Sequence, residues 1–512
     1  MSNLKKILVL ICSILPLCLF AKTVSPYTYG LKEAKTGEDV YWILLHTHEV
    51  ALRNNWIVSY RGISEIVLDI PSNAKPIPLG KITDFRDATF VVRNTKKKDY
   101  YLFELIQNIE PIVIPKSMFE SYDFRTINNI NHKKALLIIE DKNKWIENRE
   151  GHGYSVYRKD ILFLNKGKAI NKTISPYNND FSSHRCWFVK VTNKRKRISN
   201  ISLQRTLDST EKTYLVKVAN MNNVTLLGIH IYTPEPIKMS GDHAILIENC
   251  TNITVKDVTI EGTYSFDNEY GYGIVLNNVW NISFDKINSE TAWGVFGCNN
   301  VNSVKMTNSS VNRFDAHCYA RDFYFSSCSF TQFGLPQSSF WGDVIFDNCT
   351  FNHAYAIVSR YDYNAYTPFS ITLNNSIFYL NKTIRSVVFH SNVSDNRNLR
   401  PELDMKCSPG LSIHNSTIVL HDSLPSIYFF QLGSKASVSS FDYLGSIMID
   451  GLRVVGDCKK LMIYDRPIEC KESGNLKLHN ILVNEEVLNV SNEFSNNIYG
   501  KPEIVVNIQS KN

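Results

Sequence analysis

The side chains best suited to chemistry stand in SSVNRFDAHCYARDFYFSSCSF, residues 309–330. Arg313, Asp315 and His317 alternate there with Phe314, Ala316 and Cys318. Alternation at period two puts the first set on one side of a strand and the second on the other. If the apolar set faces a core, a guanidinium, a carboxyl and an imidazole share the outer side, where a solvent groove is expected. Asp315 or His317 would then serve as general acid or base, and Arg313 would hold substrate or tune Asp315. The same residues also suit a purely structural reading, with an Arg313–Asp315 ion pair and His317 hydrogen-bonded within the strand. The sequence leaves both open.

A strand needs neighbours, and the sequence supplies them as a repeat. The pattern is apolar, any, apolar, any, small or polar, any two, then usually apolar. Its copies include VTLLGIHI from Val224, ITVKDVTI from Ile253, ISFDKINS from Ile282, VKMTNSSV from Val304, FYFSSCSF from Phe323 and VIFDNCTF from Val344. Further copies start at Ile371, Leu411, Ile447 and Leu476, and a weaker one, ISLQRTLD, at Ile201. The shortest steps between starts are 19, 21 and 22 residues. A strand that returns at this interval with variable insertions predicts an all-β, right-handed parallel β-helix, a solenoid whose coils stack about 4.8 Å apart. The fifth position of the pattern holds Gly228, Asp257, Asn308, Asn348, Asn375, Asn415, Gly451 and Asn480. These residue types tolerate a left-handed backbone, so a tight corner is expected there, with Asn side chains hydrogen-bonded up the stack. The sequons at Asn223, Asn249, Asn252, Asn281, Asn348 and Asn415 are read as part of this corner chemistry rather than as glycan sites. Cys328 and Cys349 share the next offset and are expected as stacked, buried thiols.

Counting offsets from each start suggests what lies beside the Arg313–Asp315–His317 trio. With no insertion, Trp293 falls in the preceding coil and His353 and Tyr355 two coils after the trio, along the same outer face. Aromatic faces beside ionisable groups suit a sugar ring, which stacks its apolar face and hydrogen-bonds its hydroxyls. Glu261 and Glu290 share an offset in consecutive coils, either as a close carboxylate pair of glycosidase spacing or splayed into solvent. The stretch SFDNEYGYG (265–273) brings Asp267, Glu269, Tyr270 and Tyr272 to the same side. Arg360 and Tyr361 in SRYDYNAY are candidates for a wall, the arginine as a carboxylate clamp.

The remaining features bound the setting. Lys5 and Lys6 precede the apolar run ILVLICSILPLCLFA, which reads as a signal peptide over 1–21, and LPLC lacks the small residue that a lipidated Cys18 would want before it. An exported protein, periplasmic or secreted, is expected, with no transmembrane segment after the signal is removed. The net charge of +7 over 512 residues is too dilute for a nucleic-acid partner and mildly favours an acidic polysaccharide. Eleven cysteines, two of them in the leader, leave an odd number with no C-x-x-C pair, so a disulfide framework is not expected; Cys458–Cys470 is the one candidate loop. GEDVYWILLHTHEVALRNN places Tyr41, Leu44, Leu45, His48, Ala51 and Leu52 on one helical face, suited to capping the open end of the coil within a cap over 22–56, with His46 and His48 as polar trim. Residues 57–200 are expected to hold early coils with a long irregular excursion, including a solvated NKRKR loop at 193–197, and 201–512 the regular coils.

The coils, the helix followed by IPSNAKPIPL, and the phrase NCTNITVKDVTI resemble the pectate lyase/pectin lyase-like superfamily of right-handed parallel β-helices. The resemblance covers most of the mature chain and is greatest to secreted members of unestablished activity, in which a phrase like RFDAHCY recurs. It implies an extracellular glycoside hydrolase or polysaccharide lyase with its site in a groove outside one sheet. The N-T-D and D-D signatures of polygalacturonases are absent, as is the R-x-P-x-x-R of calcium-dependent pectate lyases. Hydrolysis would pair Asp315 with Glu261, Glu290 or Asp267 and needs no cofactor. Elimination would use a base such as His317, with Arg or Ca2+ on a uronate. Hydrolysis is slightly favoured, since no Asp-rich calcium cluster stands out. The alternative is a non-catalytic glycan-binding or adhesin-like coil. The sequence does not decide the oligomeric state.

Overall fold

A computed structural model shows how these residues are arranged. It describes residues 22–488, 503–505 and 508–510, apart from short gaps and the longer segments 119–124, 126–133, 147–155, 172–184, 206–212, 234–242, 262–271, 290–293, 332–337, 353–355, 361–368, 382–385, 392–406 and 433–439. Residues 1–21, read above as a signal peptide, therefore lie outside the described residues.

The repeat stacks as expected. Val224 pairs in parallel with Ile253, Ile253 with Ile282, Ile282 with Val304, Val304 with Phe323 and Phe323 with Val344. Ile371, Leu411, Ile447 and Leu476 continue the register. The weak copy does not start at Ile201. Ile201 pairs with Ile229, and Lys196 pairs with Val224, so Lys196 and Arg197 belong to a strand rather than to a solvated loop.

The four coils from Asn220 to Asn308 each bend at three left-handed residues. In the strand Tyr272–Ser289 they are Asn278, Asn281 and Lys286, at φ 54°, 58° and 56°. The corners divide the coil into a first sheet (274–277), a second (282–285) and a third (287–289). All eight fifth-position residues have positive φ, as do all six sequon asparagines named above. Asn300 donates to Asn278, Asn278 to Asn249 and Asn249 to Asn220, at 2.8, 2.8 and 2.9 Å. An amide column thus satisfies the polar corner groups that a narrow coil cannot bury unpaired.

Inward residues form one continuous apolar column. Phe325, Phe346, Phe351 and Phe378 are buried in it, with Phe325 stacked on Phe346 and Phe351 on Phe378 at 5.0 Å between centroids. At the corner of the second and third sheets, Ser309, Cys328, Cys349, Ser376 and Ser416 are all buried, and the Ser376 and Ser416 hydroxyls accept from the Cys349 and Ser376 backbone N–H groups. Cys458 and Cys470 are buried free thiols, so the candidate disulfide is not formed.

The helix Gly37–Asn54 covers one end. A capping box between Thr36 and Asp39 starts it, and Asn55 at φ 54° stops it. Tyr41, Leu44, Leu45, His48 and Ala51 are buried, whereas Leu52 is half exposed. His48 is not polar trim. Its Nε2 lies 2.7 Å from the Tyr60 hydroxyl, and burial lowers its pKa to about 3. His46 is exposed and packs edge-on against Tyr29.

The early region divides in two. Glu65–Ile70 and Tyr100–Ile106 are coil strands, paired in parallel with Ile82–Thr95 and Thr213–Ala219. KALLIIED and YRKDILFL instead lie in an antiparallel four-stranded sheet outside the coil, ordered Arg185–Lys190, Lys134–Ile146, Val156–Asn165, Lys168–Ala169. This sheet docks along one outer column of the coil, formed by Asn222, Thr251, Trp280, Asn302 and Arg321 in successive register. Asn222 donates to the Lys190 carbonyl, Trp280 stacks on Phe163, and Arg321 reaches Asp160 and the Ile161 carbonyl. The docked sheet makes a wall beside the first sheet of the coil.

Candidate functional site

The strand Asp315–Ser326 opens on the first sheet, where Asp315 pairs with Gly297 and Ala316 with Cys298. Phe314 and Ala316 belong to the core, so Arg313, Asp315 and His317 project to the opposite side, as parity predicts. The expected exposure is not found. Arg313, Asp315 and His317 are only 5, 1 and 9% exposed. Their side of the strand is outer but dry.

The burial comes with tight pairing. Arg313 Nη2 donates to Asp315 Oδ2 at 3.0 Å, and the Tyr272 hydroxyl donates to the same oxygen at 2.6 Å. The Tyr272 ring stands edge-on to His317, with centroids 6.4 Å apart. It lies flat over Gly297, where a Cβ would come within 2.9 Å of the ring. Glycine at 297 is therefore what lets Tyr272 reach Asp315. Among the described residues proposed for substrate binding, Tyr272 is brought to the trio.

The offset alignment fails at the corner between the third and first sheets. Val311 pairs with Ser289, and the next pairs are Asp315 with Gly297. Three residues separate Val311 from Asp315, whereas seven separate Ser289 from Gly297. Asp315 pairs with Gly297, so Trp293 is not its register partner. Trp293 itself, Glu290, His353, Tyr355, Tyr361, Asp267, Glu269 and Tyr270 lie outside the described residues. Arg360 ends the strand Val358–Arg360, paired with Ser391; its side chain is not described. Glu261 is exposed at the end of the third sheet, with its Oε2 3.2 Å from His230 Nε2.

A column of rings that offset counting missed leads to this cluster. Tyr101 pairs with Tyr214 and His243 with Tyr272, on the lead-in to the first sheet. Tyr214 stacks on His243 at 4.1 Å, Tyr101 lies 4.9 Å from Tyr214, and the Tyr101 hydroxyl is 2.6 Å from His243 Nε2. Tyr101, His243 and Tyr272 are half-buried, and Tyr214 is buried with its hydroxyl on Asp99. Burial pushes the Tyr101 phenol above its ordinary range. The signal was the aromatic or His residue within the first two positions of each of these strands, but it precedes the repeat start and so falls outside the pattern.

The next outer column runs Glu104, Lys217, Leu246, Val275, Gly297, Asp315. Burial raises the Glu104 pKa, and Lys217 beside it acts in the opposite direction. Five strand steps of about 4.8 Å separate Glu104 from Asp315, far beyond the roughly 5–9.5 Å of a glycosidase carboxylate pair. Glu248, bonded to Lys217 at 3.3 Å, is three steps away along the stack, also too far. Among the described residues, no three His, Cys, Asp or Glu side chains gather as a cation site, and no helix is long and apolar enough to cross a membrane.

No protein-family model and no curated protein matches the sequence. Solved structures do match the fold. The tailspike protein gp49 of Pseudomonas phage LKA1 aligns over 90% of this chain and 81% of its own, with TM-score 0.57 and 13% identity. The Gp54 tailspike of Acinetobacter baumannii bacteriophage AP22, solved with A. baumannii capsular saccharide, aligns over 95% and 79%, with TM-score 0.55 and 11% identity. Identity this low speaks for architecture alone. With the coil register and the left-handed corners, these likenesses identify the fold: the chain is a right-handed parallel β-helix.

Proposed function

We propose that this chain is an exported, carbohydrate-active β-helix protein that seats a polysaccharide along the outer side of its first sheet. The observation that carries the reading is the ring column Tyr101–Tyr214–His243–Tyr272, which ends on Asp315. The exposed parts of Tyr101, His243 and Tyr272 offer apolar surface to successive sugars, Tyr214 packs beneath Tyr101 and His243, and the docked antiparallel sheet stands beside the same sheet of the coil. The AP22 tailspike of the same fold was solved with a capsular saccharide, which is consistent with such a role.

Binding is the reading that the described residues support best. Asp315 is buried and shared by Arg313 and Tyr272, and neither Glu104 nor Glu248 lies at hydrolytic distance from it. Hydrolysis stands as the second reading, favoured by the convergence of Tyr272, His317 and Asp315 at the end of the column, with Glu261, Glu290 or Asp267 as the partner acid. Incubation with a panel of neutral and acidic polysaccharides separates the readings. Retention without product supports binding, new reducing ends support hydrolysis, and ultraviolet absorbance from unsaturated uronates marks a lyase. Tyr101→Ala should weaken retention by about three- to tenfold, the worth of one aromatic contact. Retention unchanged in that variant would remove the ring column from the proposal.

A further inference from the structure

The outer side of the second sheet carries a feature that the first-sheet site does not use. A polar trough of about 600 Å³ crosses three coils there. Its floor is a hydroxyl column in which Thr225 pairs with Thr254 and Thr254 with Ser283, one hydroxyl per coil. Asn223, Asn252 and Asn281 form one side, and Asn281 Nδ2 donates to Asn252 Oδ1 at 2.7 Å. Ser283 Oγ sits 3.4 Å from Thr254 Oγ1, so two of the three floor hydroxyls are in hydrogen-bond contact, and Thr225 continues their register.

The charge around the row has one sign where it is open. Arg195 lines the trough and is exposed. The floor column continues to Arg197 at one end and Lys305 at the other. None of the lining residues is acidic. Asp285, in the adjoining column, is engaged by Lys256 at 3.2 Å and by Asn308 and Thr307.

We infer that this trough binds a segment of uronate-bearing polysaccharide laid along the coil axis. The coil spacing of about 4.8 Å matches the length of one pyranose, so consecutive sugars meet consecutive hydroxyl and amide rows. The rows exchange hydrogen bonds with sugar hydroxyls, and the Arg195 fork takes a carboxylate. This site lies on a different sheet from the ring column and does not depend on it.

The test titrates the full chain with oligogalacturonate, its methyl ester and a neutral oligosaccharide of equal length, read by calorimetry. The acid form should bind, and the esterified and neutral forms should bind at least about tenfold more weakly, as expected for loss of a charge-assisted hydrogen bond. Thr254→Trp, which fills the trough from an outward position, should abolish the binding. Arg195→Gln, on an exposed side chain, should weaken it about tenfold and flatten its dependence on salt, and it carries the test alone if the tryptophan variant misfolds. Equal affinity for acid and ester forms, or affinity that resists Arg195→Gln, would overturn the inference. Loss of binding in Tyr101→Ala with the trough variants unaffected would assign the ligand to the first sheet and equally overturn it.

Discussion

Two corners of the same coil behave differently. The corner between the second and third sheets is a single left-handed residue in every regular coil, from Gly228 through Asp257, Lys286 and Asn308 to Asn348. The corner between the third and first sheets takes three residues before Asp315 and seven in the coil before it. The first corner keeps register, so every inward and outward position after it follows by counting. The second resets register, and the chemistry-bearing residues stand just beyond it. A solenoid can vary this corner freely because the strands on either side still pair with the coil above and below.

The sharpest way to break the comparison is to ask what the trio does for stability. Sequence parity alone would make Asp315 a replaceable surface group. Its burial against Arg313 predicts otherwise. Asp315→Ala should cost about 3–5 kcal/mol in urea unfolding, because it leaves a guanidinium buried without its carboxylate. Arg313→Met combined with Asp315→Leu should cost much less than that, since no charge is stranded. A melting temperature unmoved by Asp315→Ala would return the trio to the solvent-facing role.

The regular corner offers a smaller effect. Asn278 has φ 54°, donates to Asn249 and accepts from Asn300. Asn278→Ala should cost about 1–2 kcal/mol from the left-handed backbone, with the lost ladder bonds added. Asn278→Gly keeps the backbone and should recover part of it. Equal losses in the two variants would mean that the amide ladder, not the backbone, holds the corner.

These corners also explain how much could be read in advance. Period-two alternation and the Asn/Asp/Gly fifth position gave the coil, its register over nine steps and the inner thiol stack, because each depends on a few consecutive residues. Parity gave the direction of Arg313, Asp315 and His317 for the same reason. Their burial was not legible, because Tyr272 arrives from a strand 43 positions earlier and covers Gly297. The antiparallel sheet hid in a segment read as irregular, since KALLIIED has the same apolar content in a coil strand or a hairpin. His48 was misjudged because helical periodicity shows which face is covered but not that Tyr60 waits beneath it.

The buried imidazole in the cap gives a pH signature that the solvated corners lack. His48 has a folded-state pKa of about 3, lowered by burial, against about 6.5 when unfolded. The unfolded chain therefore binds the extra proton first as pH falls. The stability linked to neutral His48 is complete above about pH 6.5 and declines below it, by up to about 1.4 kcal/mol per pH unit, until the folded form titrates. His48→Gln retains a partner for the Tyr60 hydroxyl and should flatten that slope between about pH 6 and 4. A slope identical in the variant would place the acid sensitivity in the carboxylates instead.

The smallest effect concerns the rim of the variable corner. Glu261 ends the third sheet and pairs with His230, with both side chains about half exposed. An exposed pair of this kind contributes roughly 0–1 kcal/mol. Glu261→Gln should therefore leave unfolding almost unchanged, whereas Asp315→Ala does not. That asymmetry makes Glu261 the cleaner probe of chemistry. If hydrolysis operates and Glu261 is its second acid, Glu261→Gln removes product formation from a protein of unaltered stability. If product formation persists in the variant, Glu261 is a surface partner of His230 and another acid serves the site; if the wild type yields no product while glycan is still retained, the site binds without cleaving.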